Sequence, residues 1–213
     1  MIIGTSQLWL ERIIDIDKAL IGIIERIWPT VAARLDNTEK EDHITQRLVD
    51  VLRDDRSVCE IGFIVPHHKL READIAGDYT TKGILDIALF LDQDHERYIA
   101  YECKRLNVVD HNGKRKGSYA GPYVEEGVIR YTTAKYAEKL PYGCMIGYVM
   151  DGDKKFALQQ LLDAIEKRKK LIQLQPGKIE ATDGYFTEFT SSHLRNTDNT
   201  KIEVRHRLFS MVV

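Results

Sequence analysis

The sequence predicts an α/β fold in which a mixed central β-sheet is flanked by helices. Three observations predict it: two amphipathic stretches in the first quarter, a pair of largely apolar strand-like runs over 83–105, and alternating helical and strand-like runs from there to the end. The order expected is helix, helix, three strands, helix, strand, helix, two strands. At 213 residues the chain is long enough to bury a sizeable core. It divides into a helical extension over 1–35 and an α/β domain over 36–213.

Composition narrows the function classes before any motif is considered. With 43% hydrophobic and 30% charged residues the chain belongs with ordinary globular proteins. A net charge of −2 excludes a protein that coats nucleic acid by overall charge, so any such contact needs a local patch. Cys59, Cys103 and Cys144 lie far apart in apolar runs without a CxxC, which points to core residues in a reducing cytoplasm and away from zinc. Charges at Glu11, Arg12, Asp15, Asp17 and Lys18 argue against a signal peptide or membrane span, so a cytoplasmic protein without a membrane partner is expected.

Residues 6–28 read as an amphipathic helix stopped by Pro29, packed on the core or presented to a partner. A second helix runs from about Thr38 to Arg53, burying Ile44, Leu48, Val51 and Leu52, and Thr38-x-x-Glu41 fits a capping box. Val58–Val65 reads as the first core strand, stopped by Pro66. His67–Lys82 reads as a solvated loop, with phosphate contact as its second use.

The next two strands organise the chain. In GILDIALFLDQDHERYIAYECKR, Glu102 and Lys104 are two apart and therefore share a face, with Cys103 on the other. A turn centred on Asp94 pairs Asp86 with Glu102 and Ile84 with Lys104. Two carboxylates and an ammonium then converge between apolar strands. Such charges are either a half-buried ion pair or the oxygen ligands of a hard divalent cation.

Asp110–Gly121 is a polar loop carrying Lys114, Arg115 and Lys116, followed by Tyr119. It is a solvated face or a flexible loop that meets phosphates while a tyrosine stacks. Pro122 opens a helix to Leu140, within which Gly127 marks a close approach and Glu126 and Arg130 are spaced to pair. Cys144–Met150 reads as a buried strand, and Asp151 or Asp153 caps the helix after it. That helix ends near the solvated run Lys167–Lys170. Two strands follow, Gly184–Thr190 and Ile202–Val213, with His193 and His206 in core or surface roles.

The order Asp86, turn, Glu102-Cys103-Lys104 resembles the PD-(D/E)XK nuclease superfamily over about residues 38–150, with Leu85 where a proline often stands. The resemblance implies a restriction-endonuclease-like core and Mg2+-dependent hydrolysis of phosphodiester bonds in nucleic acid, DNA first. Mn2+ is expected to substitute. It implies that Asp86, Glu102 and the Cys103 carbonyl hold the metal and that Lys104 orients the attacking water. An acidic residue on the preceding helix, Glu41 or Glu39, is a further catalytic candidate. Arg130 is implied to flank the site, beside Lys114, Arg115, Lys116 and Tyr119 as nucleic-acid contacts. A homodimer or a larger complex is compatible, as is a place in restriction or antiviral defence. The alternative, of another class, is a non-catalytic nucleic-acid-binding or assembly subunit on the same fold.

Overall fold

A computed structural model describes residues 6–73, 77–93, 97–138, 140–176 and 187–212, with side chains from residue 11. Its centre is a six-stranded mixed sheet. Strands β1 (Phe63–Ala73), β2 (Tyr79–Phe90) and β3 (Tyr98–Leu106) form an antiparallel meander. The small hairpin β4 (Val108–Val109) and β5 (Arg115–Gly117) and a helical crossover lead to β6 (Tyr142–Val149), parallel to β3. The last strand, β8 (Lys201–Ser210), adds parallel to β6, and β7 (Thr187–Leu194) closes the far edge antiparallel to it.

Two apolar layers sandwich this sheet, as its doubly buried central strands require. On one face lie α1 (Ser6–Ala32), α2 (Glu41–Arg53) and the short α3 (Arg56–Ile61). The other is covered by the crossover α4 over 120–132 and by α5 (Lys154–Lys167). Asp153 caps α5 by accepting from the Phe156 amide at 3.0 Å. No helix among the described residues is long and apolar enough to cross a membrane.

Several expectations are corrected. Helix α1 does not stop at Pro29 but runs to Ala32, where burial of Val31 and Ala32 offsets the missing backbone bond. Of the two uses expected for its apolar stripe, α1 packs on the core, with Leu20, Ile24 and Trp28 buried in the same layer as strand residues Ile87 and Leu89. Trp28 stacks on Tyr148 with ring centroids 5.5 Å apart. Asp17 is fully buried, accepting from Tyr101 Oη at 2.7 Å and Tyr142 Oη at 2.6 Å and pairing with Arg205. The stretch assigned to a first strand, 58–65, begins instead as α3, and its Cys59 is exposed. Strand β1 starts at Phe63 and passes through Pro66, which an edge strand tolerates because the absent N–H can face outward. The expected loop 67–82 is largely the β1–β2 hairpin, whose residues 74–76 lie outside the described residues. So do residues 94–96 of the expected central turn and 184–186 of the expected penultimate strand.

The helix expected over 122–140 is α-helical at Ala120–Pro122, opens into a π-helix at Tyr123–Val128 and closes again at Ile129–Thr132. The wider turn changes which side chains share a face. Glu126 is exposed while Arg130 turns inward, so the expected i,i+4 pair does not form. Gly127 sits where a Cβ would come within 2.4 Å of Met145 Cε and 3.6 Å of Glu102 Cγ, the close approach its position suggests.

Both histidines of the C-terminal strands are core residues. His193 Nδ1 lies 2.9 Å from the Ile172 carbonyl, which can only accept, so Nδ1 carries the proton. With both rings neutral, Ser191 Oγ then donates to His193 Nε2 (2.7 Å) and accepts from His206 Nε2 (2.8 Å). His206 Nδ1 is left to accept from Tyr123 Oη at 3.1 Å. Burial favours the neutral rings, holding His193 down to about 4 and His206 well below the ordinary range.

Candidate active site

The register expected for β2 and β3 is the one observed. The ladder runs Phe90 with Tyr98, Leu89 with Ile99, Ala88 with Ala100 and Ile87 with Tyr101. Asp86 and Glu102 are the next position, and there the backbone ladder gives way to a side chain. Asp86 Oδ2 accepts from the Cys103 amide at 2.7 Å, so a carboxylate satisfies an N–H on the neighbouring strand.

The neighbour on the other side also departs from a regular ladder. Strand β1 pairs Pro66 with Ile87 and His68 with Leu85, but His67 and Asp86 form no pair between them. His67 has φ 49°, in the left-handed region. Side-chain alternation inverts here on both strands: Val65 and Ala88 pack in the α4 layer, and so do Leu70 and Leu85 across the break. Asp86 thus stands where β1 and β2 change face and β3 splays away.

Lys104 is the hub of the charges. Its Nζ is 2.8 Å from Glu102 Oε1, 2.8 Å from Glu41 Oε1 and 3.9 Å from Asp86 Oδ2, and it donates to the Cys103 carbonyl at 2.9 Å. Glu41 comes from the first turn of α2 and also accepts from the Arg105 amide at 2.9 Å. The expected capping box is absent. The residue before α2 is Lys40, without a side-chain cap, and Thr38 bonds back to Asp36 instead. Glu39 pairs with His43 at 2.6 Å, while its carbonyl accepts from Arg105 Nη1 at 2.9 Å.

Arg130 completes the cluster. Its Nη1 donates to Glu102 Oε2 at 2.7 Å and to Tyr136 Oη at 2.8 Å, and Tyr136 Oη in turn donates to the Ile84 carbonyl. Sequence reasoning missed Tyr136, which stands in a segment that reads as helix. With all groups ionised, three carboxylates (Glu41, Asp86, Glu102) face two cations (Lys104, Arg130), an excess of one negative charge.

That excess, in a site withdrawn from water, shifts the acids. Glu102 is fully buried, and its carboxyl is pushed up to about 7 by burial and by the nearby charge of Asp86. Asp86 is raised chiefly by burial, which outweighs Lys104 and the Cys103 amide. Burial alone would lower Lys104, yet Glu102, Asp86 and Glu41 together raise it, so it stays an ammonium.

No protein-family model, curated protein or solved structure matches the chain significantly. The cluster is therefore weighed on its own chemistry. Among the described residues no group of three or more His, Cys, Asp and Glu side chains is gathered as a ready-made metal site. The acids converge on an ammonium instead. Their donor chemistry nevertheless fits a hard divalent cation, with carboxylate oxygens of Asp86 and Glu102 beside the Cys103 carbonyl and uncompensated negative charge. The Cys103 thiol takes no part, since it is buried in the opposite layer with Tyr148.

The nucleic-acid candidates divide. Arg115 is held by Asp151 and Asp153, with its guanidinium 3.9 Å from the centroid of the Phe156 ring, so it fastens the β4–β5 hairpin instead of reaching outward. Arg130 is committed to Glu102. Lys114, Lys116 and Tyr119 are exposed, and Tyr119 has φ 56°.

Proposed function

We propose that the chain is a metal-dependent nuclease that hydrolyses phosphodiester bonds in nucleic acid, DNA first, with a PD-(D/E)XK-type site. The observation that carries this is the position of Asp86 and Glu102. They stand at matching positions where β2 and β3 separate, with Lys104 between them and Glu41. An antiparallel meander, a helical crossover and a parallel fourth strand support the same reading.

In this mechanism Asp86, Glu102 and the Cys103 carbonyl would hold Mg2+, with Mn2+ able to substitute. When bound, such a cation lowers the pKa of water and offsets charge on the phosphate. Lys104 donates hydrogen bonds to the attacking water or to the developing phosphorane oxygens. Glu41 holds the Lys104 ammonium in place and keeps it protonated. Arg130 orients Glu102 and, with Tyr136, fixes it against the β2 backbone.

One observation favours a second reading. Lys104 and Arg130 already pair with every carboxylate of the cluster, which is what a non-catalytic binding or assembly module would contain. Supercoiled plasmid incubated with Mg2+ or Mn2+, with and without EDTA, separates the two. Nicking that EDTA and Glu102→Gln both abolish supports the nuclease, and retention of intact plasmid supports the binding module. A rise in melting temperature with Mg2+ that Asp86→Asn removes tests the cation independently of cleavage.

A further inference from the structure

The β1–β2 hairpin outruns its neighbour. Strand β3 pairs only with Ile87–Phe90 of β2, so 79–86 and the facing part of β1 leave the sheet as a two-stranded arm rooted at Asp86. One face of the root is packed: Leu70 and Leu85 join the α4 layer, and a Cβ on Gly83 would fall 2.8 Å from the Tyr136 ring. Lys82 pairs with Glu138 at 2.7 Å. These contacts hold the arm in a fixed direction.

The opposite face has no such cover. Lys69 pairs across the strands with Ile84 and, beyond a bulge after Leu70 that leaves Lys82 as the extra residue of β2, Arg71 pairs with Thr81 and Ala73 with Tyr79; alternation along β1 puts Lys69, Arg71 and Ala73 on one face with their partners. All are exposed, Ile84 at 43% and Tyr79 at 71%. Lys69 and Arg71 have no ionic partner among the described residues, and no acid stands on this face between Asp86 and Tyr79. At a rise of about 3.3 Å per residue, Arg71 lies opposite a point about 17 Å along β2 from Asp86, the length of about five base-pair steps.

We propose that this face of the arm is a docking surface for the backbone of duplex DNA, with Lys69 and Arg71 on phosphates flanking the bond at Asp86 and Tyr79 at the outer end. The inference rests on the nuclease reading for the position of that bond, and the surface itself on charge and exposure. In a chain of net charge −2, a fixed basic strip leading from the acidic cluster is where a polyanion gains most.

The test is binding of a short fluorescent DNA duplex in Ca2+ across a salt series, with plasmid cleavage in Mg2+ measured in parallel. The double variant Lys69→Gln/Arg71→Gln is compared with wild type and with Lys167→Gln/Lys170→Gln, which removes the same charge from the exposed run at the end of α5. The arm variant should bind about 10-fold more weakly, its log–log salt slope should be shallower by about 2, and the comparator should change little. Equal losses in both variants would show that only net charge is felt and overturn the proposal, as would an unchanged slope or a wild-type protein that does not bind. Cleavage with an unaltered arm variant refutes the arm and spares the nuclease. Arm-dependent binding without cleavage does the reverse.

Discussion

Asp86 Oδ2 accepts the Cys103 amide at 2.7 Å, so the acid proposed to hold a metal also closes the backbone bonding between two strands. This joins two roles that substitution can separate. Asp86→Asn keeps an acceptor and should leave stability nearly unchanged while abolishing cleavage. Asp86→Ala strands a buried N–H and should cost about 1–3 kcal/mol in denaturant melts.

Glu102 gives stability a pH dependence of unusual sign. Its carboxyl is raised from 4.5 to about 7, so the folded chain binds more protons than the unfolded one across that window. Its contribution is fully present below about 4.5 and is lost as pH rises through about 7, an effect on the order of 3 kcal/mol. Wild type should therefore lose stability relative to Glu102→Gln between pH 4.5 and 7, and the difference should hold at pH 8. Paired urea melts at pH 4.5, 6 and 8 check the sign.

Thr38 and Glu41 separate a cap from a site. A capping box would make Thr38→Ala cost about 1 kcal/mol. Here Thr38 bonds only to Asp36, so the substitution should stay within about 0.5 kcal/mol. Glu41→Gln should reduce cleavage while the helix content by circular dichroism stays the same.

Asp17 tests whether α1 belongs to the core. Removing its carboxylate leaves Arg205 buried beside Tyr142 without its principal counter-charge. Asp17→Ala should destabilise the whole chain by about 3–5 kcal/mol in a single cooperative transition. An early transition confined to α1 would instead mark 1–35 as a separate unit.

Much of this was legible in the residues. The facing runs over 83–105 set their own register, because a slip of one would have buried the wrong face of each strand. The buried β6, the Asp153 cap and the last two strands likewise carry local signals. Where reasoning failed, a tertiary contact overruled a local rule. Pro66 reads as a stop but lies on an edge, Val58–Ile61 is too short for periodicity to tell helix from strand, and Pro29 is carried by the packing of the turn after it. Nothing near Asp17 in the sequence signals its burial, because its partner Arg205 is 188 positions away. Within the cluster, Glu41 could be named but not its bond to Lys104, and Tyr136 had no signal at all.

The kink at Pro66 and His67 bears on how copies of the chain meet one another. Strand β1 is 11 residues long and lies at the rim of the sheet, the kind of open border onto which another polypeptide can zip. Pro66 offers that border no donor, and the left-handed His67 turns the following residues out of line. An incoming strand would find only short, misaligned stretches, a poor template for the stacking by which sheet proteins aggregate.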